Sequence, residues 1–164
     1  MKLRLLTIFI SILFVSCEKD KTDDPTPEVA PVASVSMKVN GLKWFANKNT
    51  SALVVSTEGQ KNQVALTGNL DGTEFFQMAT AKEIDGPGTY SVPSNSVGAI
   101  QFWNSAKTYV VDTNSAPATV VISGIRTIAG KQYVKGTFSG WLMRNTDSSD
   151  RIEITEGEFN GIDP

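Results

Sequence analysis

The chain has 164 residues, with 15 Lys and Arg against 17 Asp and Glu, no histidine and a single cysteine. A slightly acidic chain without a basic cluster lacks the phosphate-neutralising charge that nucleic-acid binding needs, so no nucleic-acid partner is expected. Without histidine the commonest general base and metal ligand is missing, and one cysteine allows no internal disulfide.

The first segment reads as an address. Lys2 and Arg4 precede an apolar run, Leu5 to Val15, interrupted only by Thr7 and Ser11. A spanning helix needs roughly 20 apolar residues, so the run is too short for a transmembrane anchor and fits the core of a secretory signal. It ends in Leu13-Phe14-Val15-Ser16-Cys17, which resembles a bacterial lipobox. The resemblance implies a signal peptide over 1–16, cleavage before Cys17, and palmitate-type lipid on Cys17. Each buried methylene contributes roughly 0.8 kcal/mol, so two or more acyl chains hold a protein on its membrane. An acylated Cys17 also has no thiol left for catalysis or metal binding.

Residues 17–33 predict a tether. Glu18 to Ala33 is charged, then proline-spaced, and has no aromatic residue. Such a stretch buries too little apolar area to offset its ordering entropy. Its 16 residues reach on the order of 50 Å when extended. Glu18, Lys19 and Asp20 resemble the short Lys-acidic tag that follows the lipidated cysteine in surface-exported Bacteroidetes lipoproteins. The resemblance implies an outer-membrane lipoprotein at the cell surface, with a periplasm-facing position as the alternative.

Residues 34–164 predict a single domain, long enough for one core. Short β-branched or alternating runs punctuated by Gly, Asn and Pro dominate, and nothing holds a helical period. Ser34–Val39 places Val35, Met37 and Val39 on one face. Asn40-Gly41 is a hairpin signal, because both residues accept positive φ. Leu42, Trp44 and Ala46 then share a face, with Trp44 assigned to the core. Ala52–Ser56 follows, then a loop over Glu58–Asn62. Gln63–Leu70 and Thr73–Thr80 flank a second turn, Asp71-Gly72, with Val64 and Leu66 on one face and Phe76 and Met78 facing together. The turn-rich Glu83–Gly88 feeds Thr89–Val92, stopped by Pro93. Strands are expected at Val97–Asn104, Lys107–Asp112 and Ala118–Ile125. A turn at Ala129-Gly130 leads to the longest strand, Gln132–Met143. A polar loop, Asn145–Asp150, precedes the closing strand Arg151–Phe159.

The closing strand carries a register clue. Ile152 and Ile154 share a face, yet Phe159 falls on the other under a strict period of two. A bulge near Glu156-Gly157 would restore it to the core. About ten antiparallel strands with short hairpins must curl or split into two layers to bury one face. The expected fold is an all-β, antiparallel, meander-rich β-sandwich, with a lipocalin-like β-barrel as the alternative.

Met37–Ala46 resembles a "V-N-G-x-x-W-x-A" opening hairpin of small Bacteroidetes lipoproteins. Lys135–Gly140 with Ile152–Phe159 resembles their closing "G-T-F-S" and "I-T-x-G-x-F" strands, and Gly88-Thr89-Tyr90 their "G-T-Y" turn. On these motifs the domain is similar to the DUF6252-type group of uncharacterised lipoproteins. The motifs are structural, and the resemblance implies a location and a fold but no reaction.

Residue chemistry points away from catalysis. Glu153, Glu156 and Glu158 cluster on the closing strand, but alternation turns Glu153 to solvent, away from Ile152 and Ile154. A glycosidase pair needs two carboxylates about 5–10 Å apart across a sugar. Asp147 and Asp150 supply hard oxygen without any recognised calcium loop. No nucleophile elbow occurs, and Lys107 and Lys135 sit on strands where an outward lysine is ordinary. No enzyme activity, metal or cofactor is expected. Aromatic residues are the better lead. On the longest strand Val134, Phe138 and Leu142 share one face, while Tyr133 and Trp141 lie on the other; Trp103 lies opposite Ile100 and Phe102. Outward rings of Trp103, Tyr133 and Trp141 would form a platform for sugars or for an envelope protein partner. The expected function is a non-catalytic binding or accessory module on a membrane-anchored lipoprotein. The alternative is a structural envelope lipoprotein without a small ligand, and a hydrolase is more distant.

Overall fold

The computed structural model describes residues 32–57, 60–80, 84–92, 100–112 and 118–162. The proposed signal peptide, Cys17, and the Glu18, Lys19 and Asp20 tag lie outside the described residues, as do 97–99 of the expected Val97–Asn104 strand. The described residues form eleven strands and no helix: β1 Ser34–Val39, β2 Leu42–Phe45, β3 Lys48–Thr57, β4 Gln60–Leu70, β5 Glu74–Ala79, β6 Gly88–Val92, β7 Ile100–Asn104, β8 Lys107–Val111, β9 Ala118–Ile128, β10 Lys131–Arg144 and β11 Asp147–Asn160. All pairings are antiparallel.

The expected turns are present where the dipeptides place them. Asn40 and Gly41, Asp71 and Gly72, and Ala129 and Gly130 all have positive φ, the backbone of a two-residue turn whose twist matches its strands. Two expected loops are shorter than the composition suggests. The Asn145–Asp150 stretch contracts to a turn at Asn145-Thr146, and β11 starts at Asp147; β4 already runs from Gln60. Polar residues there pair through their backbones at the ends of strands, which composition alone does not reveal.

The fold turns on β10. One edge pairs with Leu53 and Val54 of β3 through Tyr133 and Gln132, then passes to β11 from Lys135 onward. The other edge pairs with β9 at Lys131–Val134 and at Ser139, then with β8 at Leu142–Arg144. One layer therefore reads β2-β1-β11-β10-β9-β6, the other β3-β4-β5-β7-β8, and both ends of the second layer hydrogen-bond to β10. The architecture is an antiparallel, sandwich-like all-β fold, as the alternation predicts.

The space between the layers is filled. Phe76 stacks on Phe138 with centroids 5.0 Å apart, Trp44 packs against Phe76 and Phe102 at 6.2 and 6.1 Å, and Phe138 meets Phe159 at 6.4 Å. Burying each such ring contributes about 1.5–3 kcal/mol, and each pair about 0.5–1.5 kcal/mol more. Packed rings thus occupy the place where a lipocalin-like barrel would enclose a ligand. Phe159 reaches this core through the expected bulge. Glu156 has φ of 48°, and the β11 register with both β1 and β10 slips by one residue across Glu156-Gly157. Gly157 is fixed by packing, since a Cβ there would lie 2.7 Å from the Phe138 ring.

Candidate functional site

Trp103 and Trp141 both point outward, each 40% exposed, and the register puts them on one face. Trp103 lies opposite Phe75 on β5 and Thr108 on β8; Gln101, Val110 and Met143 form the next cross-strand row, and Trp141 follows Met143 on the same side of β10. Thr108 to Asp112, whose N–H donates to the Trp141 carbonyl at 3.0 Å, is four residues along β8. At about 3.3 Å per residue and about 4.8 Å per strand, the two indoles are about 16 Å apart. Half-buried Val110 and Met143 fill the space between them, and half-buried Phe75 stands beside Trp103. The result is an apolar strip rather than one stacked pair.

Tyr133 does not join that strip. It has the same outward parity as Trp141 but is only 8% exposed, packed in a small cluster with Ile128, Ile162 and Leu53. The last residues fold over it: the Gly161 N–H donates to the Val134 carbonyl at 2.8 Å, and the Ile162 N–H to Asn160 Oδ1 at 2.9 Å. A platform containing all three rings is therefore corrected to one of Trp103 and Trp141, with Phe75, Val110 and Met143. Leu42 is a further case in which parity does not fix burial. It shares the parity of Trp44 but overhangs the end of β2 and is 76% exposed.

That overhang borders a cleft that no linear motif signals. Where β1, β2, β4, β5, β7 and β8 end or begin, Val39, Leu42, Trp44, Leu70, Phe102, Tyr109 and Ile152 line a space of about 350 Å³. Trp44, Phe102 and Tyr109 are buried and form its aromatic wall. Asn40, Glu74 and Asn104 supply polar groups. Asn40 is held by both backbone and side chain: its N–H donates to the Glu153 carbonyl at 2.9 Å, and its Oδ1 accepts from the Glu153 N–H at 2.8 Å. Asn104 Nδ2 donates to Glu74 Oε1 at 3.0 Å. The Trp44 Nε1–H is buried and has no hydrogen-bond partner among the described residues. Only the juxtaposition of six strand termini creates this site, which explains its absence from a linear reading.

Beside the cleft, the charged groups are tied to one another. Lys107 Nζ donates to Asp150 Oδ2 at 2.8 Å, the Tyr109 hydroxyl to Asp150 Oδ1 at 3.2 Å, and Arg144 stands 3.9 Å away. The Lys107 hydrogen bond, with help from Tyr109 and the local positive charge, holds the Asp150 carboxyl below the ordinary range against the opposing pull of partial burial. The same bond to Asp150 raises Lys107, the reverse of what a lysine base requires. Asp147 accepts from the Ser149 hydroxyl at 2.7 Å and its N–H at 3.0 Å, which lowers its carboxyl too. Asp112 is fully buried with Arg151 Nε 3.0 Å away. Glu156 pairs with Lys38 at 2.6 Å, and Glu158 is exposed. Among the described residues no three His, Cys, Asp or Glu side chains group as metal ligands.

Comparison with protein-family models, curated proteins and solved structures gave no match.

Proposed function

We propose that this chain is a membrane-anchored, non-catalytic binding module that holds an extended glycan chain on its outer aromatic face. The observation that carries the reading is the strip from Phe75 and Trp103 to Trp141. Exposed indoles offer large, rigid faces at low entropy cost, and flat sheets present them side by side. A spacing of about 16 Å exceeds what one sugar ring spans, so the ligand is a chain. The flanking Gln77, Gln101, Thr108, Arg151 and Glu153 supply polar partners on the same face. Support for the non-catalytic half comes from the charge cluster, where Lys107 and Asp150 satisfy each other. Support for the anchor comes from Lys2, Arg4, the Leu5–Val15 run and Cys17, with Glu18, Lys19 and Asp20 assigned to surface export at the outer membrane. The apolar filling of Val110 and Met143 favours an envelope protein partner as the second reading.

The test is retention by insoluble polysaccharides and binding to a glycan array, comparing the full chain with Trp103→Ala and Trp141→Ala. Each substitution is expected to weaken retention at least ten-fold, since one stacked base-sized or sugar-sized ring contributes about 1–3 kcal/mol. Equal retention of all three proteins, or none, rejects the glycan reading. Radiolabelled palmitate incorporation that survives Cys17→Ser rejects the anchor.

A further inference from the structure

From the cleft at the end of the sandwich we infer a second ligand site, built for a single sugar ring and separate from the outer face. Four observations converge on it. Its volume of about 350 Å³ sits at the small end of ligand clefts, which run to about 1,000 Å³. Its wall is aromatic, with the Trp44 and Phe102 rings packed edge to face on each other at 82°. Its polar groups are few and convergent. In the Glu74–Asn104 pair one carboxylate oxygen and the Asn104 amide oxygen have no partner among the described residues, and the same holds for the Asn40 amide nitrogen. The rim therefore offers two acceptors and a donor. Finally, the Trp44 indole N–H is buried and unsatisfied, on a residue only 4% exposed that lines the cleft. A buried donor without an acceptor costs about 1–3 kcal/mol, and a ligand oxygen reaches it only where the side chains covering it move aside.

A sugar ring matches this set of groups. It has an apolar C–H face for the aromatic wall and hydroxyls that both donate and accept. An acyl chain would leave the Glu74 carboxylate, Asn104 and the indole N–H unanswered. A nucleotide phosphate would meet Glu74. Because Glu74 and Asn104 are chain neighbours of Phe75 and Trp103, the cleft opens at the same end of the molecule as the outer strip. A terminal sugar in the cleft leaves the rest of its chain free to cross the rim toward Trp103. The cleft inference does not require the outer face to bind.

The three tryptophans make a direct experiment available. Indole N–H signals of the full ¹⁵N-labelled chain are recorded during titration with glucose, galactose, mannose, N-acetylglucosamine, and a disaccharide of each. Trp44→Phe, Trp103→Phe and Trp141→Phe assign the signals. At least one sugar is expected to shift the Trp44 signal in a saturable manner with the other two unmoved. Glu74→Gln and Asn104→Ala, which change only the rim, are expected to weaken that sugar at least ten-fold while the spectrum stays folded. A Trp44 signal unmoved by every sugar, or affinity unchanged in both rim variants, overturns the inference. Shifts confined to Trp103 and Trp141 overturn it too, while supporting the outer face.

Discussion

The two halves of β10 carry aromatic residues of the same parity with opposite fates. Tyr133 near the start is covered by Ile162 and Leu53; Trp141 near the end stays 40% exposed. Alternation assigns both to the outer side, and both are there. What differs is what lies above. The chain's final described residues return over the first half, anchored at Val134, while the second half has β8 and β11 at its edges, with Val110, Met143, Arg151 and Glu153 among its companions on that face. Which face a side chain occupies is a local property; burial of that face is a non-local one.

The largest expected effect lies at the junction of the halves. A Cβ on Gly136 would overlap the Val121 carbonyl and approach the Phe159 ring at 2.8 Å. The β9 register is also interrupted here, between Val134 and Ser139. Gly136→Ala is expected to cost about 3 kcal/mol or more, since the clash is with backbone; urea denaturation with an unshifted midpoint would contradict the close approach. Next come the covered residues. Tyr133→Ala is expected to lose about 3 kcal/mol and Ile162→Ala about 2 kcal/mol, with the pair less than additive because they touch. Additive losses would mean that Ile162 does not roof Tyr133. Trp141→Ala is expected to change stability by about 1 kcal/mol or less, which separates the open half from the covered one in the same thermal melt.

The smallest effect is electrostatic. Asp150 and Asp147 titrate below an ordinary aspartate, so their contribution is fully present above about pH 4 and is lost as pH falls through their folded values. Lys107 titrates above an ordinary lysine. Its contribution is present below about pH 10 and is lost as pH rises through the folded value. Asp150→Asn is therefore expected to lower stability slightly between about pH 4 and about pH 10, where both contributions are present, and to leave the acid and alkaline extremes nearly unchanged, so the profile flattens; the loss is small because the pair is partly solvated. A profile that overlays the parent's from acid through neutral to alkaline pH would show that the Lys107 bond is not formed in solution.

Much of the local structure was legible in the sequence. Asn40-Gly41, Asp71-Gly72 and Ala129-Gly130 name their own turns because their backbone demands are intrinsic to the dipeptides. The Glu156-Gly157 bulge follows from Phe159 being out of phase with Ile154, a mismatch that a sandwich core resolves in only one economical way. The alternating sets Val35 and Met37, Val64 and Leu66, and Phe76 and Met78 are all buried. The rest depends on residues far apart in the chain. Tyr133 needed the position of Ile162, Leu42 needed the length of β2 relative to its neighbours, and the cleft needed Asn40, Glu74 and Asn104 brought to one end. Cys17 lies outside the described residues, and no packing argument bears on it.

The double role of β10 also sets a timetable. The β3-β4-β5 meander can pair within itself early, but the free edges of β3 and β8 have no partner until residues 131–144 have emerged. During synthesis the β3 edge therefore stands open while about 75 further residues are made and the β8 edge while about 30 are, the situation in which unpaired strands recruit one another. Native pairing then depends on late, distant contacts, which places this chain among the slow folders, on the order of milliseconds to seconds. A nascent chain stalled before Lys131 should be digested by protease from β3 to β8, and one stalled well past Asn160 should resist throughout.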